Sequence, residues 1–305
     1  MLVLIAGITG KLGSRLALAA LERGLQVRGL GRNPDSLNPE LAGKLESFVT
    51  TTSYYDTPAL EKSVASVDAV ICAYAPTPVL DLEGHLLLLR AAERAEIKIF
   101  VASSWNFNWS NIQYGAYELY DVHIAFQQHV ARTSSIRPVY LFNGLFSDLL
   151  FTPYGPGLFS QSTEGATMRY WGDCKDNKFS WSTMDDAAAY TIEVLLNGNG
   201  VQESRGGYFS FRSGAHSIAE LARIYESING TKVKVIREGS IEDLERIVSS
   251  KRKEYGPQRF FELVPLAANL LGQTGKWELQ DVLSLEHVRK PTTLEELLIG
   301  SQSQN

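Results

Sequence analysis

The segment YELYDVHIAFQQHV, Tyr117–Val130, gathers side chains that can hold or move a proton: Tyr117, Tyr120, Asp121, His123 and His129 fall within it, and no lysine does. Its apolar spacing predicts an amphipathic helix. A histidine there suits acid or base work, because its unperturbed pKa near 6.5 lies close to neutral pH, and Asp121 or Tyr120 beside it can tune it. A helix histidine making one hydrogen bond in a groove is the alternative reading of His123. If the helix register is off by one, Asp121 or Tyr120 takes the role. Counting four on from Tyr114, Tyr117 and Tyr120 gives Glu118, Asp121 and Ile124, so no Tyr-x-x-x-Lys pair exists. Upstream, VASSWNFNW offers Ser103 and Ser104 as hydrogen-bond donors to a substrate carbonyl or amine. A Ser-His-Asp hydrolase is not expected, since the Gly-x-Ser-x-Gly nucleophile elbow is missing.

A second chemical signal stands at the N-terminus. LVLIA is followed directly by AGITGKLGSRLA, in which Gly7, Gly10 and Gly13 are spaced Gly-x-x-Gly-x-x-Gly around Thr9, Lys11 and Leu12. Such a turn aims backbone N–H groups and a helix N-terminus at a pyrophosphate, and its last glycine lets helix and strand approach. The strand before it and the helix after it supply the context the motif requires. A plain strand-to-helix turn is the alternative. At the end of the second strand, VRGLGRNPDSL puts Arg32, then Asn33, where an NAD-selective protein would place an acid against the ribose 2′-hydroxyl. A guanidinium offers forked donors to a 2′-phosphate, so the expected cofactor is NADP(H). Arg28, inside the strand, is a second candidate, and a solvated loop arginine is the competing reading of Arg32.

The elements that must position these residues are legible as a pattern. LVLIA, QVRGL, SFVT, AVICA, IKIFVA and VYLF are short, mostly apolar strands alternating with helical stretches, which predicts a doubly wound parallel α/β sheet of the Rossmann type. KLGSRLALAALERG closes on Gly24 as a helix C-terminal glycine, and TPALEKSV opens with Thr57 as N-cap and Pro58 at the first helical position. The ligand crevice of such a sheet lies at the carboxyl ends of its strands. There CAYAPTP would run Ala73, Tyr74, Ala75 and Pro76 along the cofactor. Aromatic residues crowd the same ends: Trp105, Phe107, Trp109, Tyr114, Tyr117 and Tyr120, with Phe146 after the sixth strand and Trp171, Phe179 and Trp181 further on. Trp105, Phe107, Tyr114, Tyr117, Phe146 and Trp181 are expected to frame a flat, conjugated or cationic ligand by stacking and cation–π contact.

Residues 1–152 are read as the nucleotide-binding domain and 153–305 as a smaller α/β substrate lobe, interleaved with the first sheet. The texture changes at TPYGPGLFSQSTEG, after which short strands (GYFSF, VKVI) mix with helices (MDDAAAYTIEVLL, SIAELARIYESI, SIEDLERIVSS). Asp185 and Asp186 are expected to cap the first of these helices. A net charge of −5 and the lack of a basic cluster beyond SSKRKEY argue against nucleic-acid binding. No apolar run is long enough for a membrane span, and MLVLIAG reads as a buried strand and not as a signal peptide. The two cysteines, Cys72 and Cys174, suggest neither a disulfide framework nor a metal site, so a reducing, cytoplasmic setting is expected, with the sequons at Asn108 and Asn229 without meaning. A monomer or homodimer is expected.

The motifs GITGKLG, VRGLGRNP, FVASSW and RPVYLFNGLF, in this order, resemble the NmrA-like and isoflavone-reductase-like branch of the atypical short-chain dehydrogenases, over most of the chain. That resemblance implies an NADP(H)-binding fold with a small C-terminal substrate lobe, and a family that holds both reductases of aromatic secondary metabolites and regulators that bind the nucleotide without turnover. In its reductases the helix after the fifth strand carries a lysine in a pattern resembling Phe/Tyr-x-x-Lys. Here that stretch is YDVH, and His123 stands in the lysine's place. The resulting expectation is an NADPH-dependent tailoring enzyme for an aromatic, nitrogen-containing secondary metabolite of the alkaloid kind, with His123, Tyr120 and Ser104 as its catalytic groups. Iminium-type cyclisation in the same pocket is a variant, and a nucleotide-binding redox sensor is the alternative from another class.

Overall fold

Strands buried on both faces must be covered by helices on both sides, and the arrangement follows from that. β1 (Leu2–Ala6), β2 (Gln26–Gly31), β3 (Ser47–Thr50), β4 (Ala69–Cys72), β5 (Ile99–Val101) and β6 (Val139–Phe142) run parallel in the spatial order 3-2-1-4-5-6. β1 is central, with Val3 opposite Val27 on one side and Ala69 on the other. Alternation along it divides the core. Val3 and Ile5 join a cluster with Val27, Ile71 and Leu141 on one face, while Leu4 and Ala6 join Leu30, Val70 and Phe100 on the other. This is the expected Rossmann-type sheet, and its order reverses between β1 and β4.

The computed structural model describes residues 1–302 other than 76, 78–79, 257–258 and 274. The helices between the strands are α1 (Lys11–Glu22), α2 (Pro39–Ala42), α3 (Thr57–Val64), α4 (His85–Arg94), entered through a π-helical turn at Leu80–Gly84, and α5 (Glu118–Thr133). Gly24, at a φ of +74°, follows the end of α1 as expected. The cap of α3 differs: Asp56, not Thr57, accepts from the Ala59 N–H at 3.2 Å, and Thr57 is the first helical residue. An aspartate one position earlier is as good an N-cap as threonine, and Pro58 tolerates either register.

Beyond β6 the chain forms β7 (Leu145–Phe146), β8 (Ser160–Ser162), β9 (Gly165–Trp171), β10 (Lys178–Ser182), α6 (Met184–Asn197), β11 (Gly207–Ser210), β12 (Gly214–Ser217), α7 (Ile218–Asn229), β13 (Val233–Gly239), α8 (Ile241–Tyr255), α9 (Phe260–Gln273) and α10 (Leu294–Gln302). Two three-stranded sheets, β12-β10-β7 and β13-β9-β8, stand apart from the main one. β11 pairs parallel with β6 as the seventh strand of the main sheet, and α6 packs on α1. Thr183, not Asp185 or Asp186, caps α6 through the Asp186 N–H. Asp186 is fully buried instead: its carboxylate accepts from Ser213 Oγ (2.6 Å), Arg289 Nε (2.8 Å) and the Thr292 N–H (2.9 Å), which ties the segment before α10 to α6.

Candidate active site

The turn after β1 can be built only from its glycines. Gly7 has a φ of +81°, and a Cβ there would lie 2.5 Å from the Ala73 carbonyl oxygen. A Cβ on Gly13 would lie 2.2 Å from the Gly7 oxygen. The first excludes a side chain where β1 meets the end of β4; the second lets α1 descend onto the turn. Gly10 is the N-cap of α1 and supplies no side-chain cap, so the first N–H groups of α1 are left for an external acceptor. Gly7, Thr9, Gly10, Lys11 and Leu12 line a cleft of about 510 Å3 that opens across the carboxyl ends of β1, β2, β4 and β5. Gly13 serves packing and does not line it.

The two arginines of β2 behave differently. Arg28 is committed to the fold: it grips Glu46 through Nε and Nη2, both at 3.0 Å, and donates to the Ala65 carbonyl at 2.6 Å. It is removed as a phosphate ligand. Arg32 is exposed, lies over the Tyr54 ring at 5.6 Å, and pairs with no carboxylate among the described residues. It lines the cleft beside Thr51 and Tyr54. Asn33 does not line it; its Oδ1 accepts from the Asp35 N–H at 3.2 Å and caps the short turn Pro34–Ser36. Ala73, Tyr74 and Ala75 run along the cleft, whereas Pro76 lies outside the described residues.

At the end of β5 both serines are engaged. Ser103 Oγ donates to the Tyr74 carbonyl (3.1 Å), and its N–H donates to His85 Nε2 (3.3 Å). Ser104 Oγ donates to the Ala102 carbonyl (3.1 Å) and accepts the Leu141 N–H (2.8 Å), which ties β5 to β6. Both touch the cleft, but neither has a proton to spare. The segment that follows feeds α5, whose start is held by Arg252 of α8 on Glu118 at 2.6 Å. Tyr120 and His123, on successive turns of α5, and Tyr117, the extended residue that caps its start, all reach the cleft. The Tyr120 hydroxyl donates to Asn106 Oδ1 at 2.9 Å, and burial holds its phenol well above the usual tyrosine range. Burial also raises Tyr117. His123, 6% exposed, is driven by burial down to about 4 and is therefore neutral at pH 7. Among the described residues neither the Tyr117 hydroxyl nor the His123 ring makes a hydrogen bond.

The remaining walls are aromatic or apolar. Phe107 stacks on Trp277 with centroids 4.4 Å apart and planes 3° from parallel. Phe146, Tyr154 and Met184 face the cleft, as do Val264 and Ala268 of α9. Trp105 lines it too, with Nε1 donating to Thr191 Oγ1 at 2.9 Å. Two expected wall residues lie elsewhere. Tyr114 is 64% exposed on a loop away from the cleft, and Trp181 is in the core, donating from Nε1 to His216 Nδ1 at 2.9 Å. Tyr54, Tyr154, Trp277 and the α9 side chains were not expected. Only the apolar run FFELVPLAANLL offered a signal, and it gives a helix without saying what it covers. Lys11 and Arg32, both at the glycine-turn end, are the only charged side chains among the described residues lining the cleft.

A glycine cradle under an uncapped helix, an unpaired guanidinium at the end of β2 and a cleft at the reversal of strand order define the dinucleotide-binding class of α/β proteins. Within that class, the chain belongs to the NmrA-like family, whose model matches residues 1–298. It is 31% identical over 199 residues to a probable pinoresinol-lariciresinol reductase of Arabidopsis thaliana; the match spans 63% of this chain and 62% of that relative. In structure it resembles the triphenylmethane reductase of Citrobacter sp. complexed with NADP(H) (TM-score 0.71, 20% identity, 98% of this chain and 99% of that one). It also resembles the NADPH-dependent quinone oxidoreductase of Escherichia coli complexed with NADPH (TM-score 0.70, 20% identity, 99% of this chain and 100% of that one). The sequence resemblance and the fold class are thus borne out.

Proposed function

We propose that the protein is an NADPH-dependent reductase of a flat aromatic small molecule that carries a conjugated C=N, C=C or C=O group, with nitrogen-containing compounds as the favoured class. One observation carries the reading: the glycine cradle, the unpaired Arg32 and the unpaired His123 all open into one cleft. The residues fit a dinucleotide phosphate. Gly10, Lys11 and Leu12 would receive the pyrophosphate at the start of α1, Arg32 the 2′-phosphate, and Ala73 to Ala75 with Ser103 the remainder. NADPH supplies a hydride when bound. The second half of the chain, other than α6 and β11, acts as the substrate lobe, with Tyr154, Val264, Ala268 and Trp277 closing the aromatic slot against Phe107 and Tyr117. NADPH turnover is supported by the same neighbours that share the fold.

The proton is held on α5. Ser104 and Tyr120 have their hydroxyl hydrogens engaged, so His123 and Tyr117 are the groups left to meet a substrate heteroatom. The neutral imidazole donates its N–H to that atom; as the hydride arrives and the atom becomes basic, the proton passes to it, and the imidazolate left behind takes a proton back from solvent. No carboxylate lines the cleft among the described residues to pair with a cationic iminium, which favours reduction of a neutral C=N, C=C or C=O group over iminium-type cyclisation. The test is calorimetric titration with NADPH and NADP+, followed by loss of NADPH absorbance against a panel of conjugated imines, enones and quinones. Tight binding with turnover that falls at least tenfold in His123→Gln supports the reading. Tight binding without turnover of any panel member overturns the reductase and leaves a nucleotide-binding sensor.

A further inference from the structure

His123 reaches the cleft, but what holds it there comes from another segment. Trp109, on the loop between β5 and α5, stacks on the imidazole with centroids 5.6 Å apart and planes 14° from parallel. The indole is 1% exposed and does not line the cleft, so it lies on the inner side of the histidine. It is itself fixed edge-on by two rings of β6, Tyr140 at 5.5 Å and 90°, and Phe142 at 5.6 Å and 87°. Its buried N–H makes no hydrogen bond among the described residues. The flat face of the ring, and not its polar atom, is therefore what the site uses.

We propose that Trp109 is a positioning residue for the cleft: its indole, clamped by Tyr140 and Phe142, fixes the plane of the His123 ring and keeps water from the ring's inner face. This rests on the reductase reading only in giving His123 a chemical task; the positioning itself is a property of the chain alone. A histidine with no hydrogen bond to orient it would turn about its side-chain torsions, and a ring stacked on one face restricts that motion. Dryness on the same face accounts for the protonation state. The rings against the imidazole are Trp109 and, at 6.5 Å between centroids, Tyr120 of α5; Tyr140 lies behind Trp109, and Tyr117, packed on Tyr120, lines the same cleft. Glu118 and Asp121 on the same helix turn to Arg252 and to the Gly115 N–H. α9 contributes the apolar Val264 and Ala268 to this part of the cleft. Burial is the only cause that lowers His123, with no charged neighbour acting on it.

The test is an NMR titration of the histidine ring signals in the full chain, the His123 signal being assigned by its loss in His123→Gln. The wild-type ring is expected to titrate at about 4. Trp109→Leu, which removes the flat face and leaves room for water, should raise that value by about one unit or more toward 6.5, and Trp109→Phe, which keeps a face, should restore most of the shift. The pH profile of kcat/KM for NADPH oxidation should move by the same amount. Should the leucine variant not fold, Trp109→Met, also smaller than tryptophan but unbranched and more adaptable in packing, removes the planar face, leaves room for water and should shift His123 likewise. A folded Leu or Met variant whose His123 titrates as in the wild type overturns the proposal. Absence of turnover, by contrast, bears on the reductase reading and leaves the titration result standing.

Discussion

Burying an imidazole that has no hydrogen bond makes the fold sensitive to acid at one named residue. His123 titrates at about 4 in the folded chain, against 6.5 when exposed. Above pH 6.5 the ring is neutral in both states and contributes nothing to the pH dependence. As pH falls below 6.5 the unfolded chain takes up the proton first, so stability is lost across the window from 6.5 down to 4 and levels off beneath it. A gap of 6.5 − 4, at about 1.36 kcal/mol per unit, gives about 3 kcal/mol in full and about 2 kcal/mol by pH 5. The ring is 6% exposed, so no discount for solvent screening applies. Urea denaturation of the wild type and of His123→Phe at pH 7.5, 6, 5 and 4 reads this directly, because other titrating groups, His216 among them, are common to both chains. The variant should gain on the wild type by about 2 kcal/mol between pH 7.5 and 5. A stability difference that does not change with pH would refute the argument that burial sets the charge state of His123.

Three further outcomes follow from the geometry. Gly13→Ala places a methyl group 2.2 Å from the Gly7 oxygen, so calorimetry should show NADPH affinity falling at least about tenfold, with thermal unfolding reporting a loss of about 1–3 kcal/mol. Arg32→Ala removes charge-assisted hydrogen bonds worth about 1.5–3 kcal/mol, so NADPH should bind about 10- to 100-fold more weakly while NADH affinity stays within a factor of two or so. Asp186→Ala takes away the buried acceptor of Arg289, Thr292 and Ser213, which should cost about 3–5 kcal/mol in denaturant unfolding and expose the segment before α10 to proteases.

What local sequence carries and what it does not is visible in individual residues. The six strands of the first half and the glycine turn are local facts, since a period of hydrophobicity or a required φ is a property of neighbours along the chain. Arg28 on β2 and Arg32 just beyond its end are four residues apart, and only the structure separates them, because the partner that engages Arg28 is Glu46, immediately before β3. Asn33 and Tyr114 fail for a similar reason: each was placed by its distance from a motif, and each turns to a local cap or to solvent. Trp181 shows the limit most clearly. Alternation along β10 puts it on the sheet face it shares with His216 of β12, a diagonal neighbour that its indole reaches, and nothing within several residues of it encodes that partner. Trp277 and α9, more than a hundred residues after α5, reach the cleft only through tertiary packing.

The absence of a lysine on α5 changes what the cleft can do in a definite way. A lysine in that place would carry a permanent cation near pH 7 into a wall that has no carboxylate among the described residues, and it would need the nucleotide or the substrate to balance it. His123 at about 4 brings no charge, so the aromatic end of the cleft stays neutral, and among the described residues its only cations are Lys11 and Arg32 at the other end. Charge and apolar surface are thus separated along one cavity, which fits the proposed binding of phosphate at one end and of a ring at the other. A ligand that bound at the ring end would find, among the described residues, Tyr117 just before α5 and His123 within it as open hydrogen-bonding groups. Tyr120 between them is fixed by Asn106 and holds the spacing. If His123 serves the proposed proton transfer, its charge is set by burial, and the packing behind it then matters for the chemistry as much as the histidine itself.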